Sequence, residues 1–252
     1  MVIYRCEDTP ESIFTAIYQA YEEKQKPEET RISLTEEPYL FAEYRQVHTD
    51  QVKAEKVIRT IHRQFGEMDY ESICLALSSF QEEKAQAVYQ TIARGLKYRT
   101  TPGHLLDALA DPHVRNTFMF AKNVRRELQH LQGFVRFKEL QNKVLYACIG
   151  PKNHVVQFLM PHFADRFPNE DFIVYDEHRH IAGVHPAKKV WYLIHGINMA
   201  ELIADKEYST AEDWYQELFR HFHDSVSINE RENRKLQQNM LPLRYREYMV
   251  EF

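Results

Sequence analysis

The stretch Ala121-Lys-Asn-Val-Arg-Arg-Glu-Leu-Gln-His-Leu-Gln-Gly-Phe-Val-Arg-Phe137 decides the fold, because the hydrophobic period changes within it. Asp111 before Pro112 reads as an N-cap with proline at the first helical position, and Gly133 as a left-handed helix end, so a helix is predicted over 112–132. At about 100° per residue, Arg115, Lys122, Arg126 and Gln129 share one stripe, while Val114, Phe118, Ala121, Val124, Leu128 and Leu131 share another. One face packs and the other is basic. From Phe134 to Leu140 the pattern alternates with period two, which places Phe134, Arg136 and Lys138 on one side of a predicted strand.

Outward from this junction the two halves differ in kind. Before it, a short strand over 2–6 precedes helices predicted over 10–23, 49–65 (capped by Thr49 and stopped by Gly66), 69–79 and 82–98, with a short helical piece at 105–109. Residues 22–44 are polar, carry Pro27 and Pro38 and hold no sustained period, so they read as a long surface arm. After the junction, strands are predicted over 134–140, 144–149, 171–176, 180–185 and 189–194, with a helix inserted at 155–163 and another closing the unit at 211–223. The expected fold is α+β: a helical N-terminal half (1–132) packed on a C-terminal five-stranded antiparallel sheet with flanking helices and a basic tail (133–252), forming one continuous unit or two intimately packed halves.

The 252 residues are 44% hydrophobic and 13% aromatic, enough for a sizeable core. With no apolar run long enough to span a bilayer and no charged-then-apolar leader, a cytoplasmic location away from membranes is expected. Cys6, Cys74 and Cys148 are odd in number and far apart, which excludes a disulfide framework and a Cys-x-x-Cys knuckle. They also lack the spacing for an iron–sulfur cluster. A net charge of −5 argues against a generally basic coat, yet residues 91–138 hold nine Lys/Arg against three Asp/Glu, while residues 1–60 hold eight against twelve. Such a block is a phosphate-binding surface or one solvated helix face.

The seven glycines are isolated, so dinucleotide and Walker loops are absent and no cofactor is expected. Gly-x-Ser-x-Gly and His-Glu-x-x-His are absent as well. His178-x-His180 could point two imidazoles one way, but without a third ligand these read as turn histidines and no metal is expected; His221-x-His223 diverges on a helix. In Pro161-His-Phe-Ala-Asp-Arg-Phe-Pro168, Asp165 could orient His162 or Arg166 toward a phosphate or base, or could simply pair with Arg166 while Phe163 and Phe167 fill the core. Between Arg231 and Arg246 five cations face one Glu, and Asn233, Arg244 and Tyr245 supply amide, guanidinium and ring. That is an inventory for phosphates and bases.

Gly133-Phe-Val-Arg-Phe137, Pro161-His-Phe-Ala-Asp-Arg166, Arg231-Glu-Asn233 with Leu236-Gln237, and Pro242 with Arg244-Tyr245 resemble the signature stretches of a bacterial family assigned to DNA repair or DNA metabolism, over nearly the whole chain. The chain differs from that family in carrying Arg234 where proline is usual and Arg246 where tryptophan is usual. The family's domain is of uncharacterised function; its gene accompanies one for a radical S-adenosylmethionine protein, and the domain is also joined to uracil-DNA glycosylase-like modules. The resemblance implies a DNA-directed role and a radical S-adenosylmethionine partner, and it supplies no catalytic residue. The leading expectation is a DNA-binding accessory protein that presents damaged or modified DNA to that partner through Lys122, Arg126, Arg136, Arg166, Arg231, Asn233, Arg244 and Tyr245. Of these, Lys122, Arg126, Arg136, Arg231 and Arg244 are expected to converge on one surface. The rivals are a nuclease, glycosylase or related hydrolase using His162 with Asp165 or Asp176, and a protein-binding adaptor.

Overall fold

A computed structural model of the chain describes residues 1–36, 38–199, 208–226 and 241–249. It divides into two compact units, 1–125 and 126–252. In the first, β1 (Val2–Arg5) is followed by α1 (Pro10–Glu22), whose N-cap Thr9 accepts the Ser12 amide at 3.2 Å. Then come β2 (Thr30–Ser33), β3 (Glu43–Gln46), α2 (Gln51–Phe65), α3 (Glu67–Leu77) and α4 (Lys84–Tyr98). β1 lies between β2 and β3 and is parallel to both, with Tyr4 level with Ile32 and Arg45. The helices bury Ile13, Phe14, Ile17, Val57, Ile61, Phe65, Val88 and Ile92 at the three- and four-residue spacings of one helical face. At Gly95 an added Cβ would stand 2.8 Å from Phe65, so that helix pair needs a residue without one.

Three expectations for this unit are corrected. The arm at 22–44 supplies β2 and the start of β3; four-residue strands near prolines show too little alternation to be recognised alone, and the two free edges of β1 select them. Asp50, not Thr49, caps α2, accepting the Lys53 amide at 3.1 Å. The helical piece at 105–109 is a set of turns, because the buried Asp69 carboxylate takes the Gly103 and Leu105 amides at 2.9 and 3.2 Å.

α5 (Pro112–Phe134) begins in the first unit and ends in the second. Asp111 caps it as expected, accepting the His113 amide at 2.9 Å. Its end is later than expected: the ladder continues past Gly133, with Val135 N–H on Leu131 O at 2.9 Å, and Gly133 takes no left-handed turn. A helical glycine costs about 1 kcal/mol, and the packing of Phe134 against His130 and Tyr245 opposes that cost. The strand expected over 134–140 is therefore cut to β4 (Lys138–Glu139).

The second unit continues with β5 (Leu145–Ile149), α6 (Val156–Arg166), β6 (Phe172–Asp176), β7 (Ile181–His185), β8 (Tyr192–His195), α7 (Thr210–Val226) and a short α8 (Leu243–Arg246). The sheet runs β4-β5-β6-β7-β8, and the β4–β5 hairpin turns at Lys143, φ 62°. The all-antiparallel expectation is corrected: β5 and β6 are parallel, Leu145 level with Phe172 and Ile149 with Asp176. A helix between two strands carries the chain back to its starting end, which makes its flanking strands parallel. α6 covers one sheet face with Val156, Leu159, Met160 and Phe163, while Leu140, Tyr146, Tyr175, Ala182 and Met199 form a core cluster of their own. Phe137 meets Phe163, Phe167 and Phe172 edge to face. No described helix is long and apolar enough to cross a membrane, and the three cysteines are free thiols.

Candidate functional site

The parallel pair gives the second unit a polarity. Loop 150–155 leaves the carboxyl end of β5 and enters α6, and β6 ends beside it at Asp176. In sheets with parallel strands, ligands bind outside the carboxyl ends, where loops diverge from a fixed scaffold.

One buried carboxylate grips this loop directly and a second anchors the arginine that does. Glu127 of α5, 2% exposed, accepts the Lys152 amide on Oε1 at 3.0 Å, and the Asn153 amide and side-chain amide on Oε2 at 2.9 and 2.6 Å. Oε1 also meets Arg244 Nη2 at 3.0 Å and the Tyr245 hydroxyl at 3.4 Å. Every lone pair of a buried anion thus has a donor, as burial of a charge demands. Asp176, fully buried, takes the His178 and Arg179 amides on Oδ1 at 3.0 and 3.2 Å and Arg179 Nη1 on Oδ2 at 3.1 Å. Burial raises its pKa above the ordinary carboxylate value, against the opposing pull of Arg179. The same guanidinium donates to Pro151 O at 3.0 Å and to Lys152 O. Glu127 therefore holds the loop's N–H groups and Arg179 its carbonyls.

A third contact closes the edge. Glu177 accepts from the Tyr248 hydroxyl and, at 3.5 Å, from Cys148 Sγ. Burial pushes the Cys148 thiol up to about 12, so it is no nucleophile near neutral pH. Gly150 lies so close to this tyrosine that an added Cβ would stand 3.0 Å from its Cζ and nearer still to its hydroxyl.

The rim is basic. Lys152 and Arg126 are exposed, and Arg244 is partly so. Burial lowers the pKa of His130, and the charges of Arg126 and then Arg244 push it the same way, against Glu127. His130 is itself packed against Phe134 and Tyr245, which accounts for that burial.

Of the residues expected to converge, Arg126 and Arg244 share this neighbourhood. Lys122 is exposed on the part of α5 that belongs to the first unit. Arg136 donates to Gly133 O at 3.0 Å and lies over the Phe219 ring at 5.6 Å. Arg166 is exposed, near Phe167 at 5.8 Å. Arg231 and Asn233 lie outside the described residues. Tyr245 is corrected: at 2% exposure, packed against His130 and Phe134, its ring is closed to a base. Asp165 is exposed, and among the described residues no hydrogen bond or ion pair joins it to His162 or Arg166. His178 and His180 are turn histidines with separate partners, Pro151 O at 3.3 Å and the Tyr175 hydroxyl at 2.8 Å. Among the described residues no group of three or more His, Cys, Asp or Glu is placed to hold a metal.

Sequence reasoning missed Glu127, Asn153 and Arg179. For Glu127 a signal existed: it lies three residues after Val124 and four before Leu131, so helical geometry puts a carboxylate on the apolar face.

A family model matches residues 82–251, and its description is the domain of unknown function DUF4130. The match covers more than half of the chain, which belongs to that family. No curated protein and no solved structure matches it.

Proposed function

We propose that this DUF4130 member is a DNA-binding accessory protein in DNA repair or modification, holding backbone phosphates on the basic rim of loop 150–155. The observation that carries this is geometric: exposed Arg126 and Lys152 and the partly exposed Arg244 gather around buried Glu127, the first next to it in sequence, the second bonded to it through its backbone amide and the third paired with it. Like charges so gathered repel, and a polyanion relieves that repulsion. Arg126, Lys152 and the exposed part of Arg244 are the contacting groups, and Glu127 positions two of them by fixing Arg244 and the Lys152 amide. Delivery of damaged or modified DNA to a radical S-adenosylmethionine partner follows from the family resemblance above. A hydrolase built on His162 and Asp165 has no support in their geometry.

Fluorescence anisotropy with labelled DNA tests the reading. Neutralising roughly three phosphates, one for each of these cations, gives a log–log salt slope of about −2 to −3. Arg126→Ala and Lys152→Ala each lower its magnitude by about one without moving the melting temperature. Binding that is absent at low salt, or independent of salt, refutes the proposal.

A further inference from the structure

The first unit holds a groove of its own, lined from α1, α2 and α4. Its volume is about 390 Å³, within the range of pockets that take small molecules. Buried Ile17, Ile61 and Ile92, one from each helix, make an apolar floor, and Tyr18 and the exposed Tyr21 stand on the α1 side.

The charges at this groove have one sign. α2 carries four Lys/Arg and divides them. Lys53 meets Glu22 at 2.9 Å and Arg59 meets Glu55 at 2.6 Å, and neither of these cations lines the groove. Lys56 and Arg63 do line it, and among the described residues no carboxylate pairs with either. Lys56 Nζ donates instead to the Tyr18 hydroxyl at 3.3 Å and stands 5.0 Å from the centroid of that ring. Among the described residues no Asp or Glu lines the groove, although residues 1–60 hold twelve against eight Lys/Arg. Seven residues separate the two cations, two turns or about 10 Å along the helix axis. One anionic group between them is within reach of both flexible side chains, and an apolar body attached to it falls on the isoleucine floor.

We infer that this groove binds an organic carboxylate with an apolar body, its head between Lys56 and Arg63 and its body over Ile17, Ile61 and Ile92. The site is independent of the DNA reading, and most of its lining precedes the family match, which begins at residue 82. A cationic ligand would meet repulsion here, and a neutral one would leave both cations without a counter-charge. A nucleic-acid backbone needs a continuous cationic track, and the carboxylates paired with Lys53 and Arg59 interrupt one along α2.

The test titrates the full chain with sodium decanoate, below its micelle concentration, in a calorimeter. Wild type should show one saturable site, and decyltrimethylammonium, with the same chain and the opposite charge, should show none. Lys56→Gln/Arg63→Gln should weaken decanoate binding roughly 3- to 30-fold, as the loss of two exposed ion pairs predicts, with the melting temperature unchanged. Arg59→Gln removes a cation of the same helix outside the groove and should bind like wild type. Ala93→Leu, at a partly exposed position of the lining, fills the space and should abolish binding while the melting temperature stays level. Equal binding of both amphiphiles, or wild-type affinity in the double variant, refutes the inference. Binding that survives Ala93→Leu refutes it as well, because the ligand then sits on another surface. If wild type binds no decanoate, the inference falls and the groove is left to an acidic segment of a partner protein.

Discussion

Loops 34–42 and 150–155 both leave the carboxyl end of a strand with a parallel neighbour, and the protein treats them in opposite ways. At 150–155 buried side chains take hold of the peptide groups: Glu127 the amides of Lys152 and Asn153, Arg179 the carbonyls of Pro151 and Lys152. At 34–42 the contact is made at the neck, by the Tyr44 hydroxyl on Tyr39, and the tip projects Leu40 and Phe41 into solvent, Phe41 at a left-handed φ of 59°. The first arrangement spends buried charge to fix a backbone from which an exposed lysine departs. The second spends backbone conformation to hold an apolar ring outward. In neither loop would the ordinary preference of its residues, carboxylates in water and phenylalanine in a core, produce what is seen.

The sharpest way to break this contrast is to remove the grip on the first loop. In Glu127→Gln the side-chain NH2 must face donors from Asn153 on one side, or from Lys152 and Arg244 on the other, and Arg244 loses its counter-charge. Breaking a buried pair from one side costs about 3–5 kcal/mol, to be read from chemical denaturation. Asp165→Asn, an exposed change in the same unit, should stay within about 0.5 kcal/mol. A Glu127→Gln loss as small as that control would mean that the loop holds itself.

A middling effect is expected at Gly150. A methyl there would overlap the Tyr248 hydroxyl, and forced overpacking costs roughly 1–3 kcal/mol. Tyr248→Phe removes the hydroxyl and with it the bond to Glu177. The double variant Gly150→Ala/Tyr248→Phe should therefore be more stable than the two single losses added together, a coupling that a double-mutant cycle measures directly. Strict additivity would show that the tyrosine simply swings away.

The legible parts of this fold were those set by local pattern. The capped start of α5 at Asp111, the hairpin after Leu140, α6, and the strands at 172–176 and 181–185 follow from caps, turns and alternation over a few residues. What escaped was set by pairing over long separations. Thr30–Ser33 is a strand because Val2–Arg5 offers it an edge, and Gly133 stays helical because Phe134 packs on Tyr245. The site followed the same rule: Pro161-His-Phe-Ala-Asp-Arg166 drew notice for residue types side by side in sequence, yet its His162 and Asp165 are not joined. Glu127, Lys152, Asp176, Arg179 and Arg244 span more than a hundred residues and meet only when the strand–helix–strand unit closes.

The smallest expected effect probes the rim of the gripped loop. His130 in the folded chain titrates below its ordinary value of 6.5, chiefly through burial and then through Arg126 and Arg244. As pH falls below 6.5 the unfolded chain takes up a proton that the folded chain refuses. The stability present above 6.5 is therefore lost gradually, until the folded value is reached and both states are charged. DNA should act in the opposite direction. Phosphates beside Arg126 and Arg244 cancel the part of the shift that those charges add to burial, so the imidazole's pKa rises in the complex and binding takes up a proton. Between pH 7 and 6 wild type should therefore lose stability while gaining affinity for DNA. His130→Gln keeps a polar side chain of similar reach without a titrating group, and it should flatten both curves in that range. Opposite slopes in wild type that vanish together in the variant would tie the imidazole to the phosphate site. Identical pH profiles for the two proteins would leave the basic rim a solvated surface around a structural carboxylate.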